Sequence, residues 1–289
     1  MPIFDGVGER DARFIPEVWT SRIWVEMRAG LVVGSDLVVN RDYEGEIRNA
    51  GDSVRIPTVT DPTVEDYDPT VGFTGDPQDV LGDKRTFEIE RAKAFRIKVD
   101  DIAKVQSLIG GQHMHEGTQR AGRKLAEAAD SYVAGKLVAA ATGNRLIDLD
   151  MAPAVAPDVY YGQFVDVKVA LDQTNTPQDG RWAIISPALH GKLLRDDRFI
   201  DVSKFGSSEP ISNGVVGKFL GFRIHLTNAL PTDVHLIAGH RIATTFADQL
   251  VKTETYRPEK FFADVVRGLH VYGAKVMRPE HIAVGKVIP

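Results

Sequence analysis

Between residues 58 and 83 the chain carries seven acidic side chains and no Lys or Arg, interrupted by Pro62, Pro69, Pro77, Gly72, Gly75 and Gly82. Such a tract has few apolar groups to contribute to a core, and its prolines remove backbone donors. A long stretch of this kind is uncommon inside a compact domain, so it is expected to project from the body as an excursion. The flanking segments read as strands. Ser53-Val54-Arg55-Ile56-Pro57 alternates polar and apolar residues on the way out, as do Thr86-Phe87-Glu88-Ile89-Glu90 and Ala94-Phe95-Arg96-Ile97-Lys98-Val99 on the return. Residues 84–104 hold seven basic side chains against four acidic ones. An acidic outgoing limb and a basic returning limb suit docking onto an adjacent copy, because a two-stranded flap has little stability alone.

Residues 112–142 read as one long helix, with Met114, Ala121, Leu125, Ala128, Tyr132 and Ala139 or Ala140 in a narrow apolar stripe. Gly117 and Gly122 each cost it about 1 kcal/mol relative to alanine, so other elements are expected to pack closely across it. Upstream, Pro16 suits an early helical turn, and Val18, Trp19, Ile23, Trp24 and Met27 follow at three-to-four spacing until Gly30 and Gly34. Two tryptophans on so short a terminal segment need a large surface, which a neighbouring subunit supplies. Val38-Val39 reads as a short strand. Downstream come a helix over 163–173, a buried strand over 182–185 and a helix over 188–194 begun by Ser186-Pro187. A Ser/Gly-rich loop covers 199–218. Strands follow over 222–226 and 234–238, then a helical turn over 241–247, strands over 263–266 and 269–276, and an apolar run over 282–284. This order is α+β.

Composition narrows the function. The chain has 289 residues, 43% hydrophobic and 26% charged, which fits a globular protein with a sizeable core. It has no cysteine, excluding disulfides, thiolate metal sites and cysteine nucleophiles. No apolar run approaches the roughly 20 residues of a membrane span. The opening Met1-Pro2-Ile3-Phe4-Asp5-Gly6 is no signal peptide, so a cytoplasmic origin and no membrane partner are expected. A net charge of −5 argues against a dedicated nucleic-acid binder, although a local basic face remains compatible with DNA contact.

Motifs with chemical potential have plainer explanations. His113 and His115 point about 200° apart on a helix, which disfavours a metal site. Gly110-Gly111-Gln112 is an ordinary helix entry, and Gly217-Lys218-Phe219 lacks the rest of a phosphate loop. Asp100-Asp101 and Asp148-x-Asp150 read as caps or solvated turns. No nucleophile elbow or zinc-protease helix is present. No catalytic residue, cofactor or metal is expected.

Three blocks resemble a known family. Phe14-Ile15-Pro16-Glu17-Val18-Trp19-Thr20-Ser21-Arg22-Ile23 is similar to the opening of many actinophage and siphophage major capsid proteins. Val39-Asn40-Arg41-Asp42-Tyr43-Glu44-Gly45-Glu46-Ile47 with Asn49-Ala50-Gly51-Asp52-Ser53-Val54-Arg55-Ile56-Pro57 resembles a second block of that group, and Phe95-Arg96-Ile97-Lys98-Val99-Asp100-Asp101-Ile102 a third. The resemblance is strongest over 14–137 and architectural beyond. It implies the HK97-like capsid fold of tailed bacteriophages, with an N-terminal arm (1–35), an E-loop hairpin (36–98), a P-domain holding the long spine helix (99–151), an A-domain (152–250) and terminal P-domain strands (251–289).

With the fold, the resemblance implies a virion shell protein assembled in the bacterial host cytoplasm. Its subunits form hexamers and pentamers around double-stranded DNA, with separate scaffolding, portal and decoration proteins as partners. The arm and E-loop then make the intersubunit contacts, for which Trp19, Trp24, Asp66, Asp68, Lys84 and Arg85 are candidates. Arg120, Arg123 and Lys124 are candidates for non-specific contact with the packaged DNA, against the alternative of a solvated helix face with pairs such as Arg123–Glu127. The arm motif begins by residue 14, so a scaffold is expected to be a separate protein or absent. Some relatives join an E-loop lysine to a P-domain asparagine. Lys84 is such a lysine by position, but no Asn follows Asn228, and a non-covalent shell is expected. Two other classes stay open: an encapsulin-like compartment, and a cytosolic α/β enzyme with a lid over 58–83.

Overall fold

Helix α1 (Pro16–Gly30) and helix α2 (Gln112–Ala140) cross closely in the computed structural model, which describes residues 16–43, 53–59, 63–67, 69–70, 72, 81–101, 112–152, 155, 157–196 and 215–287. At 1.5 Å per residue, α2 is about 43 Å long. A Cβ on Gly122 would lie 3.1 Å from the Ile23 carbonyl oxygen. The residue that weakens the helix is thus the one that lets α1 approach.

The buried face of α2 is wider than the expected stripe and turned from it. Leu125 is buried as read, together with Thr118, Ala126, Ala129, Asp130, Val133, Ala134 and Leu137. Ala121, Ala128, Tyr132 and Ala140 are only half-buried and Ala139 is exposed, while the side chain of Met114 lies outside the described residues. The cause is coverage from two sides: Met27 and Leu31 pack on one flank, Trp182, Ile237 and Val284 on another, all in one core.

The strands are β1 (Ser53–Val59), β2 (Leu81–Glu88), β3 (Arg91–Asp100), β4 (Leu146–Asp148), β5 (Arg181–Ile185), β6 (Val215–Phe219), β7 (Phe222–Leu226), β8 (Val234–His240), β9 (Thr244–Tyr256), β10 (Ala263–Val276) and β11 (Ile282–Lys286); the remaining helices are α3 (Pro157–Gln173) and α4 (Pro187–Leu193). One mixed sheet has the order β4-β11-β8-β5-β7-β6. All five residues of β5 are buried because both faces of this sheet are covered. Side chains alternate between faces: Trp182, Ile184, Ile237, Ile282 and Val284 join the α2 core, while Ala183, Ile185, Leu236, Ala238 and Ala283 join a second core under α3 and α4. There Phe164 meets Phe219 and Phe222 edge-on, with centroids 5.3 and 5.8 Å apart. The Ser186 hydroxyl accepts from the Leu189 N–H at 3.2 Å, and Pro187 follows, which caps α4 where the Ser-Pro pair suggested.

A second sheet has the order β3-β10-β9. β3 pairs with β10 along its length, from Arg91↔Tyr272 to Asp100↔Ala263. The second alternating stretch of the return limb therefore belongs to the body, and the described hairpin is β1–β2, paired from Ser53↔Glu88 to Val59↔Leu81. Its root is held by Phe87 and Ile89, buried with Ala247, Val271 and Met277. Here Gly273 permits close approach, since a Cβ on it would collide with the Glu88 carbonyl oxygen. Residues 63–67 of the acidic tract are irregular and exposed.

Several local readings are corrected. Only Arg241–Ala243 makes a helical turn, and Thr244 already starts the 13-residue strand β9. Residues 263–276 are one strand rather than two, because ladder pairing on both edges carries it through Arg267 and Gly268. The strand β6 begins at Val215, inside the stretch read as a loop. Helix α3 begins at Pro157, ahead of residue 163. Val38 and Val39 lie in a turn, with Asn40 making a single parallel bridge to Thr245.

Two glycines give opposite outcomes on gaining a methyl group. Gly135 has open space around it, so Gly135→Ala is expected to stabilise the protein by about 0.5–1 kcal/mol. Gly273→Ala is expected to destabilise it by about 2 kcal/mol through the collision with Glu88. Thermal unfolding of both variants checks this, and shifts of the same sign would contradict it.

Candidate intersubunit surfaces

The candidate contact segments are held to the body by a buried polar clamp on residues 31–43. Asp130, on the buried face of α2, accepts the Val32 N–H at 2.9 Å and the Gly34 N–H at 2.8 Å. Arg41 donates to the Gly34 carbonyl at 3.0 Å and to the Asp248 carboxylate, with its guanidinium 5.3 Å over the Phe246 ring. The other Asp248 oxygen lies 3.1 Å from His270 Nε2, and both side chains are fully buried. His270 Nδ1 has no partner among the described residues. The favoured neutral tautomer therefore carries its proton on Nε2, because an unmet buried N–H costs more than an unmet lone pair. Backbone bonds complete the clamp, from Asn40 N to Thr244 O at 2.8 Å and from Phe246 N to Asn40 O at 2.9 Å.

Burial pushes the Asp130 carboxyl up to about 6, against the lowering effect of the donated N–H groups, and the nearby Asp248 charge adds to the rise. Of these four residues only Arg41 falls in a block that carries the family resemblance, and nothing there marks it as part of a buried cluster. Asp130 carried one usable signal, since Gly122, Ala126, Asp130 and Ala134 follow one another at helical spacing with an acid among small residues. Arg41, Asp248 and His270 had none, because their partners lie far along the chain.

The expected contact residues are dispersed. Trp24 is half-buried against the α2 core with the Arg28 guanidinium 4.9 Å over its ring, while the side chain of Trp19 lies outside the described residues. Asp66 is exposed and Asp68 lies outside. Lys84 pairs through its backbone with Pro57, with its side chain outside the description. Arg85 is exposed and donates to the Met277 carbonyl, tying the hairpin root to the body. Arg120, Arg123 and Lys124 are exposed on α2, each near a carboxylate: Glu116 at 3.8 Å, Glu26 at 3.6 Å and Glu127 at 2.5 Å. Arg123 thus pairs across to α1, and Lys124 takes the intrahelical partner expected for Arg123.

Asp150 accepts the Ala152 N–H at 2.9 Å in a turn, and Asp101 pairs with Arg257 at 2.5 Å. Among the described residues no cluster of metal ligands occurs and no helix is long and apolar enough to cross a membrane. His113 and His115 have side chains outside the description. Large apolar side chains do reach the surface, including Val64 (92% exposed), Tyr67 (61%) and Phe262 (86%).

This α+β architecture is that of HK97-like shell proteins. It matches a structure titled Mycobacterium phage Che8 with a TM-score of 0.65 and 27% identity, over 86% of this chain and 88% of that one. It matches the capsid structure of the cyanophage P-SCSP1u with a TM-score of 0.65 and 18% identity, over 84% and 85%. The holo-SrpI encapsulin complex from Synechococcus elongatus PCC 7942 matches with 0.57 and 10% identity, over 83% of each. No curated protein sequence matches. Residues 82–285 match the family model for phage capsid protein, and the chain belongs to that family. It is a structural, non-enzymatic capsid protein of the tailed-phage type, a component of the virion capsid that works as part of a multi-subunit assembly.

Asp130 yields a pH prediction. Its folded pKa lies above the unfolded value of 3.8, so its contribution to stability is complete below about pH 4 and is lost as pH rises through about 6, by about 3 kcal/mol in all. His225, lowered to about 4 by burial and then by Arg223, acts oppositely in the same range, but that cancels between wild type and an Asp130 variant. Urea unfolding of dissociated subunits is expected to show Asp130→Asn gaining on wild type as pH rises from 4 to 7. Parallel curves would refute the assignment.

Proposed function

We propose that the chain is the major capsid subunit of a phage head, forming hexamers and pentamers of an icosahedral shell around double-stranded DNA. Residues 1–35 serve as the arm, the part of 36–98 ahead of β3 as the E-loop, β3 and 99–151 with 251–289 as the P-domain, and 152–250 as the A-domain. The observation that carries this reading is the β1–β2 hairpin, a two-stranded sheet of its own whose root is buried through Phe87 and Ile89. Isolated two-stranded hairpins are marginal in water, so a length of hairpin bearing exposed Val64, Asp66 and Tyr67 calls for a neighbouring copy. Many modest interfaces of this kind sum to a stable closed shell.

Trp19, Trp24, Asp66, Asp68 and Lys84 are the contacts proposed on the arm and E-loop, while Arg85 braces the loop from within. Arg120, Arg123 and Lys124 contact packaged DNA only weakly and without sequence preference, since their carboxylate neighbours compete with phosphates. Assembly takes place in the host cytoplasm with separate scaffolding, portal and decoration proteins. The shell is non-covalent, since no Asn follows Asn228. An encapsulin-like compartment is the second reading, supported by the fold match to an encapsulin but by nothing at residue level.

Electron microscopy of the expressed protein tests the proposal. Shells or capsomers are expected, with DNA rather than protein cargo inside particles from infected cells. Boiling in denaturant should return only single chains. Deleting residues 61–79 should leave a folded subunit that no longer assembles. A wild-type chain that stays monomeric through size-exclusion chromatography would sink the proposal.

A further inference from the structure

The chain changes sheets between β2 and β3 over two residues. β2 ends at Glu88 in the hairpin sheet, β3 begins at Arg91 in the body sheet, and Ile89 and Glu90 alone join them. Ile89 is buried with Phe87. The Glu90 carboxylate reaches α2, where one oxygen accepts from both the Tyr132 hydroxyl and the Lys136 ammonium, each at 2.9 Å. These donors lie one turn apart on the helix. The bonds from Lys136 and then Tyr132 hold the Glu90 carboxyl below its ordinary range. Tyr132 is itself fixed, edge-on to Tyr272 of β10 with ring centroids 5.4 Å apart and with the Arg91 guanidinium 5.6 Å over its ring. Arg91 stands opposite Tyr272 in the sheet register. Beside the same link, Gly273 lets the Glu88 backbone lie against β10. The spine helix and the body sheet thus converge on two residues.

We infer that Glu90 is a positioning residue, which sets the orientation of the β1–β2 hairpin relative to α2 and so the angle at which neighbouring subunits meet. Its second half rests on the reading of the chain as a shell subunit, and its first half does not. Magnitudes favour a directional role over a stabilising one. The Glu90 and Lys136 side chains are 45% and 38% exposed, and ion pairs this open to water add little to stability. Leverage is another matter. The eight residues of β2 span about 27 Å, so a rotation of about 10° at the link moves the far end by about 5 Å, the spacing between neighbouring strands. An ordinary solvated ion pair is the plain alternative. Two features set this one apart: an uncharged second donor on the same oxygen, and the packing of that donor's ring against β10.

The chain has no cysteine, so Val59→Cys at the far end of β1 and Ala139→Cys on the exposed side of α2 place two spin labels on the full-length protein. Double electron–electron resonance on dissociated subunits should give one narrow distance distribution. Glu90→Ala should widen it by about 5 Å, the swing of a rotation of about 10°. Tyr132→Phe should act in the same direction, and Glu90→Gln, which keeps an acceptor for the hydroxyl, should widen it less. Adding Lys136→Gln to Glu90→Ala should change little further, because both remove one interaction. In assembled particles Glu90→Ala should raise the share of shells off the wild-type diameter by about threefold or more. Urea unfolding like that of wild type shows that the variants fold. An unwidened distribution in Glu90→Ala, or effects of Glu90→Ala and Lys136→Gln that add, would overturn the inference. If Glu90→Ala fails to fold, Tyr132→Phe decides, and an unwidened distribution there overturns it equally. Widened distances with shells of normal diameter would overturn the link to shell geometry. A wild type that forms no shells would remove the capsid reading itself, while the distance measurement still decides the role of Glu90 in the subunit.

Discussion

Asp130 is a carboxylate placed inside an apolar helix face, and the connection between the arm helix and the rest of the protein depends on it. Its two oxygens receive the N–H groups of Val32 and Gly34 in the turn that follows α1. Those bonds determine where the chain turns after α1, and so where Arg41 can reach Asp248 and where Asn40 can join Thr244. Removing water from a carboxylate is costly, and that burial is the main cause of the raised pKa of Asp130. The clamp is therefore specific in geometry, while its net contribution to stability depends on pH.

Around this point two layers are built from one sheet. Because the centre of the six-stranded sheet is covered on both faces, β5 and β11 show continuous buried runs rather than alternation. Trp182 and its row bind the sheet to the spine helix, and Ala183 and its row bind it to α3 and α4. The spine helix is thereby coupled to α1 on one side and to this layered block on the other, with small residues at the crossings.

Charge is segregated on this frame. The seven acidic residues of 58–83 precede β2 in the chain, and most of the basic residues of 84–104 lie on β2 and β3. A chain that neutralised its own charges locally would lose an electrostatic reason to meet its neighbours. Charge-steered contacts of this kind contribute more to register and partner choice than to raw affinity.

The sequence by itself determined the class of the fold, the long helix, the Ser-Pro entry to α4 and the strands on either side of the acidic tract. These are local properties of period, capping and composition. Tertiary structure alone decided that β3 belongs to the body sheet, that 263–276 is one strand, that the buried face of α2 runs through Asp130, and that Arg41, Asp248 and His270 form one cluster. Each of those depends on a partner distant in sequence. Arg41 and Asp248 are 207 residues apart, and no local pattern encodes such a pairing, because burial and hydrogen bonding are properties of the neighbours that folding brings together.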